Sequence, residues 1–465
     1  MFVFLGVVHA QENHYWEQQV GAIPNMIGGA ATANARDNSA IYYNPGGLAF
    51  VDNSSLSLVG DAFVVSSLVI ENGAGAGKNL RSLIANTTPQ IVSGILKNRK
   101  NPDLSVTYAI INNNSSLINM NLSHEMYYDI LPGTPGEEIY VANYDYYNKT
   151  REDWLGIGMG HKLGEHFGIG FSYFLTLRSQ DLSRSYNAHV LEYFPVADLT
   201  SSLASSSFRE VFEYRNLGML WKFGTSFEKG SLKLGLTVTT PKLNVELLNG
   251  SLRRDLITRI PPGTIISPIV SADQQKVPTI HKLPLNIDLG ADYEFGATSV
   301  SARMGYAHKI ASYALLRPES PRNEIQGILD TGDERFQNMR DASRSLLNFG
   351  FGVIHVIQEG WAVLGGYRTD FNYFNEEDLS RQDNYVPSIS YWDLHHLSGG
   401  FTRYGERYFL SLGISFGFGR SQGFQEVNLT EPSLENYLFG MRDQSAYAKY
   451  NQLSINLGFT YLFER

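Results

Sequence analysis

From residue 450 onward apolar and small polar side chains alternate one by one. Leu453, Ile455, Leu457, Phe459, Tyr461 and Phe463 fall on one face of an extended chain, and Ser454, Asn456, Gly458 and Thr460 on the other. The pattern recurs at 408–418, where Tyr408, Leu410, Leu412, Ile414, Phe416 and Phe418 oppose Ser411, Gly413, Ser415 and Gly417. Extending this reading along the chain predicts strands at 55–70, 103–111, 115–128, 152–163, 166–178, 216–227 and 231–246. A second set is predicted at 282–294, 298–310, 346–357, 360–373, 391–404, 407–419 and 450–463. Short turns, among them Asn112-Asn-Asn114, Glu228-Lys-Gly230 and Gln358-Glu-Gly360, join strands at one end. Long loops at 71–102, 129–151, 179–215, 247–281, 311–345, 374–390 and 420–449 join them at the other.

An even count with turns short on one side and loops long on the other describes an all-β chain forming a 14-stranded antiparallel transmembrane β-barrel of the bacterial outer membrane. A soluble sandwich also alternates. It has no place, however, for so many wholly apolar faces whose reverse sides carry Gly, Ser, Thr and Asn; a barrel with lipid outside and a polar lumen inside does. The lipid bilayer and lipopolysaccharide are then its surroundings.

Composition agrees: 44 Gly, 27 Tyr and 26 Phe, with only 18% charged residues, suit strands punctuated by glycine. With no Cys, disulfides and thiolate chemistry are excluded. A net charge of −9 offers no basic stripe for phosphates, so nucleic acid is not a partner. No apolar run is long enough for a membrane helix. Residues 1–10 are an apolar run ending Val8-His9-Ala10, read as a truncated signal peptide that lacks its basic start, with Gln11 opening the mature chain.

Residues 11–54 do not alternate and are rich in small side chains, Gly28, Gly29, Ala30, Ala31, Ala33 and Ala35 among them. A lumen of about fourteen strands is too wide to be filled by its own side chains, so this segment is expected to sit inside as a plug ahead of the barrel at 55–465. A compact small-residue helix halted by Asn44-Pro45 would suit that space. The stretch from Gly28 to Ala40, with Arg36 and Asp37, followed by Asn44-Pro45-Gly46-Gly47-Leu48-Ala49, resembles the N-terminal hatch of the FadL family of outer-membrane transporters for long-chain fatty acids and other hydrophobic compounds. Gly46 stands where that family usually has Ala. The resemblance implies fourteen strands, an N-terminal hatch, capture of a hydrophobic ligand among the outer loops and sideways release through a gap in the wall near the hatch.

Two loops fit the capture step. The run from Leu256 to Val270, with Leu256, Ile257, Ile260, Ile265 and Ile266, is apolar for a segment facing water, and Tyr193 and Phe194 lie in a second such run. An acidic ligand would want a cation in the lumen. Strand parity turns Arg178, Arg303, Arg368, Lys222 and Lys233 inward, but Asp288, Asp292 and Asp370 share that face, so ion pairing within the lumen competes with a ligand role. Nothing points to catalysis or a cofactor. His395 and His396 beside Asp393 would point to opposite faces of a strand, and neither a nucleophile elbow nor a phosphate loop is present. The expected function is passive uptake of a hydrophobic small molecule. The alternative is a barrel subunit of a secretion or uptake complex, with a protein partner at the outer loops.

Overall fold

Pairing turns the alternation into continuous rows. In the computed structural model, which describes residues 13–97, 100–194, 199–261, 269–318, 339–375, 377–379 and 389–463, Leu232, Tyr293, Val300 and Val353 stand side by side on four neighbouring strands, all exposed. Their reverse faces carry buried Ser, Thr and Asn such as Thr237, Ser301 and Asn348. Apolar side chains outside and polar ones inside are the inverse of a soluble core, and the outer row is what a hydrocarbon environment stabilises.

Fourteen antiparallel strands make the wall. They are β1 (Ser55–Glu71), β2 (Leu80–Lys97), β3 (Leu104–Tyr128), β4 (Glu138–Leu163), β5 (Phe167–Phe194), β6 (Leu199–Lys229) and β7 (Leu232–Thr239), then β11 (Asn286–Phe295), β12 (Thr298–Ala307), β15 (Leu346–Gln358), β16 (Trp361–Asp370), β17 (Asp393–Tyr404), β18 (Tyr408–Gly423) and β19 (Ala446–Leu462). The pairs Leu56 with Tyr461 and Leu58 with Phe459 join β1 to β19 and close the cylinder. Beyond the hydrocarbon, β8 (Leu243–Val245), β9 (Asn249–Arg259) and β10 (Ile269–Pro278) continue the sheet from β6, and β13 (Ile310–Leu316) pairs with β14 (Met339–Ser343).

The strand total matches expectation, but two assignments behind it do not. Asn112-Asn113-Asn114 is not a turn: β3 runs straight through it with a bulge between Asn112 and Asn114, so the segments 103–111 and 115–128 are one strand. The partner of β1 is instead β2, inside the expected loop 71–102, where Pro89 breaks the alternation at a point where the β1–β2 register itself shifts. A bulge frees proline from the ladder bond it cannot make. The expected loops 129–151 and 179–215 are largely strand, because β4, β5 and β6 rise far above the membrane; 247–281 holds the β9–β10 hairpin.

One interruption of the wall matters for function. Strands β2 and β3 pair only from Ile91 with Ile111 to Lys97 with Ser105. Above that level β2 is paired with β1 alone and β3 with β4 alone, until the Asn119 amide donates to Ser82 Oγ at 3.0 Å. Each strand is bulged against its other neighbour where the two part, β2 against β1 beside Pro89 and β3 against β4 at Asn113.

Candidate functional site

Residues 13–54 precede the wall and pack against its inner face on nearly every strand. They form no long helix: α1 (Ala22–Met26) and α2 (Ala40–Tyr43) are single turns, and the small-residue stretch between them is irregular. Gly28 and Gly29 have φ of 62° and 72°, a left-handed conformation outside a helix. Contact is backbone to backbone. An added Cβ on wall residue Gly170 would lie 2.1 Å from Pro45 O, on Gly235 2.1 Å from Thr32 O, and on Gly366 2.2 Å from Gly28 N. On the hatch side, a Cβ on Gly46 would meet Gly224 O at 2.9 Å and one on Gly47 would meet Ala35 O at 2.3 Å. The inward glycines, read from sequence only as a polar face, form a smooth ring on which this segment sits.

The candidate hatch residues hold it there. Asn44, fully buried, donates to Thr32 O at 2.8 Å and Thr225 O at 2.9 Å and accepts from Gly46 N at 2.9 Å, which also starts the 3-10 turn Pro45–Phe50. Asp37 accepts from Ser39 N at 2.9 Å. Arg36 donates to Ser226 Oγ at 3.1 Å, lies 3.4 Å from Glu228 and stacks 4.8 Å over the Phe50 ring.

All three candidate ligand arginines are inward and buried, and each is engaged. Arg303 pairs with Asp288 at 2.7 Å, reaches Gly29 O and lies 3.9 Å over the Trp16 ring. Arg368 donates to Trp16 O at 3.0 Å and Glu17 O at 2.6 Å, while Asp370 accepts from Trp16 N at 3.0 Å, so this pair on β16 clamps the Trp16–Glu17 peptide. Arg178 pairs with Glu152 at 3.0 Å and with Tyr214 Oη at 3.0 Å. Lys222 differs: its Nζ sits 4.2 Å over the Tyr42 ring and 5.8 Å from that of Trp154, with no ion pair among the described residues. Lys233 pairs with Glu294. His396 is buried in the lumen, whereas its neighbour His395 stacks outside with Tyr367 and Phe418, so the two do not converge.

The apolar capture residues are dispersed. Leu256 and Ile257 are on β9 rather than in a loop; Leu256 is half-buried against Val270 and Ala272, Ile257 is exposed, and Ile260 is buried beyond the strand end. Ile265 and Ile266 lie outside the described residues. Tyr193 and Phe194 end β5 opposite Thr200 and Leu199, and their side chains lie outside the description.

What fills the outer lumen is instead an aromatic cluster that the alternation did not single out: Tyr140, Tyr144, Tyr186, Phe208, Phe212 and Phe439. The segment 424–445 folds over it, with Leu429 N bonded to Ala74 O and Tyr140 Oη to Leu438 O. Beneath lies a cavity of ≈ 40 Å³ bounded by Tyr15, Arg178, His281, Tyr313 and Asp341. A second, of ≈ 60 Å³, is bounded by Gln18, Arg368, Asn86, Thr88, Ser116 and Leu117, and therefore lies directly behind the parted edges of β2 and β3. Glu17, Gln18 and Asn114 line both. At about 30 Å³ per water molecule, each holds only one or two waters. The lumen is closed in this state, and residues 14–19 stand between the two spaces.

No family model matches the sequence, and no curated protein does. Solved structures do match over nearly the full length. A FadL homologue of Pseudomonas aeruginosa aligns over 97% of this chain and 100% of its own, with TM-score 0.58 and 11% identity. The toluene transporter TodX of Pseudomonas putida covers 98% and 100%, with TM-score 0.56 and 12% identity. The toluene transporter TbuX of Ralstonia pickettii covers 96% and 98%, with TM-score 0.54 and 12% identity. The chain has the fold of these barrels, and its apolar outer rows place it in the bacterial outer membrane.

Proposed function

We propose that this barrel carries hydrophobic small molecules passively inward and releases them sideways into the bilayer between β2 and β3. One observation carries the reading: the wall parts where both strands are bulged, with a cavity directly behind the parting and a clamped segment of the hatch beside that cavity. Unpaired strand edges facing hydrocarbon cost several kcal/mol per orphaned group, so a fold that keeps such edges is consistent with using them. The fold it shares with a FadL homologue and two toluene transporters supports the same class of cargo.

For an acidic cargo such as a fatty acid, Lys222 is the lumenal cation best placed to meet the carboxylate, because Arg178, Arg303 and Arg368 are already committed. The test is uptake of a radiolabelled long-chain fatty acid and of toluene by cells lacking their own transporters. Deleting Asn113 removes the bulge in the β3–β4 ladder at the level where β3 leaves β2, and is expected to let the two edges pair further. Uptake is expected to fall about tenfold while the barrel still migrates as folded in an unheated gel; unchanged uptake would reject the sideways route. Lys222→Met should lower fatty-acid uptake and leave toluene unaffected. A docking role has one observation in its favour, the exposed Ile257–Ile269 pair on the β9–β10 hairpin, and stoichiometric copurification of a second protein would establish it.

A further inference from the structure

The outer face of the wall carries a groove of ≈ 710 Å³ on the β1 side of β2, across that strand from the parted edge. Its floor is low because the outward positions at the middle of β1 are Gly60 and Ala62, and its flanks are Leu58, Leu412, Leu457 and Phe459. One register row runs along it: Leu58 on β1, Phe459 on β19, Leu410 on β18, Arg403 on β17 and Trp361 on β16. Arg403 is out of place in such a row. It faces outward, exposed, between leucine and tryptophan, its guanidinium 5.3 Å over the Trp361 ring, and it makes no ion pair or hydrogen bond among the described residues. A lone charge at the lipid face is costly unless it meets a counter-charge near the interface.

Position supplies the counter-charge. Arg403 and Trp361 lie beside the short turns at 359–360 and 405–407, and short turns mark the periplasmic side. An aromatic ring at that level is the usual interfacial anchor, and an arginine beside it meets lipid phosphates. At the other end, four strands away at about 4.8 Å each, or roughly 19 Å, the groove reaches Thr87, Thr88 and Pro89 on β2. That span suits one extended acyl chain, and its far end abuts the strand whose opposite edge borders the wall opening.

We infer that this groove holds one glycerophospholipid of the periplasmic leaflet, with its phosphate on Arg403, its glycerol region on Trp361 and an acyl chain lying across Gly60 to Pro89. The lipid covers the irregular β1–β2 ladder, where the register slips at Val59/Gly60 and again at Asp61/Val64, and shields its weakened pairing from the bilayer. The assignment rests on how the barrel sits in the membrane and not on what it carries.

Native mass spectrometry of the full-length barrel, purified in a mild detergent and offered an equimolar mixture of phosphatidylethanolamine, phosphatidylglycerol and lipopolysaccharide, tests this. One phospholipid should persist per wild-type barrel at collision energies that strip bulk lipid. Its occupancy should fall at least fivefold in Arg403→Gln and in the groove-filling Leu412→Trp, and stay at the wild-type level in Leu234→Trp, a lipid-facing change on β7 at the far wall. Folding of every variant is checked by gel migration before and after heating. Equal retention in all four proteins, no retained lipid in the wild type, or retention of lipopolysaccharide in place of phospholipid would each overturn the assignment.

Discussion

Asn44 shows how one side chain can fix a whole segment. Its amide donates to one carbonyl within the hatch and one on β6, and its oxygen caps the turn that follows. Asn44→Ala would leave Thr32 O and Thr225 O without that donor in a buried place, at a cost of about 1–3 kcal/mol for each unsatisfied group. The hatch of that variant should be cut by added protease at least tenfold faster than wild type while the barrel stays intact, as followed by mass spectrometry of the fragments; equal rates would mean that the glycine ring alone retains it. Sequence shows that Asn44-Pro45 stops a helix. It does not show that the asparagine bridges to a strand 181 residues away. The arginines illustrate the same limit: parity places them in the lumen correctly, but what Arg303 and Arg368 hold depends on the path of residues 16–29, which do not alternate and so leave no pattern to follow.

At the scale of elements, alternation was readable wherever one face met lipid, because a one-residue slip would turn every apolar side chain inward. It failed where that constraint lapses. Pro89 and Asn113 interrupt the period at the two bulges, and above the membrane both faces of β4 to β6 meet protein or water, so those extensions read as loops. The upper wall is held by polar contacts instead. Glu210 on β6 lies between Arg254 on β9, at 3.1 Å from its Nε, and Arg184 on β5, level with outward-facing charged residues Arg209 and Glu213 and thus clear of the hydrocarbon. Burial alone would push its carboxyl up; the two guanidinium groups outweigh it and hold the group below the usual 4.5. A carboxylate depressed in the folded state adds stability above its unfolded value, and that contribution is lost as pH falls through the lower folded value. The β9–β10 hairpin should therefore resist protease from neutral pH down to about 4.5 and become labile below it. Glu210→Gln should remove that dependence; an acid response that persists in the variant would assign it to another group.

For the molecule as a whole, the question is what keeps the lumen shut. The outer aromatic cluster, the N-terminal segment and the wall stand in series, and Glu17 and Gln18 of the N-terminal segment border both small cavities together with Asn114 of the wall. Residues 16 and 17 are gripped through their backbone by Arg368 and Asp370, so the grip does not depend on what side chains the hatch presents, and it can be released without disturbing the glycine ring below. Arg368→Met keeps the side chain's bulk and removes both donors. If the clamp is the internal barrier, liposomes containing this variant should admit a small sugar several times faster than those containing wild type, because freeing residues 14–19 merges the two cavities and opens them toward β2 and β3. Swelling rates that match wild type would place the barrier at the outer aromatic cluster, where Phe439→Ala should then produce the increase. The two outcomes separate a channel gated from within by its own N-terminal segment from one gated at its mouth.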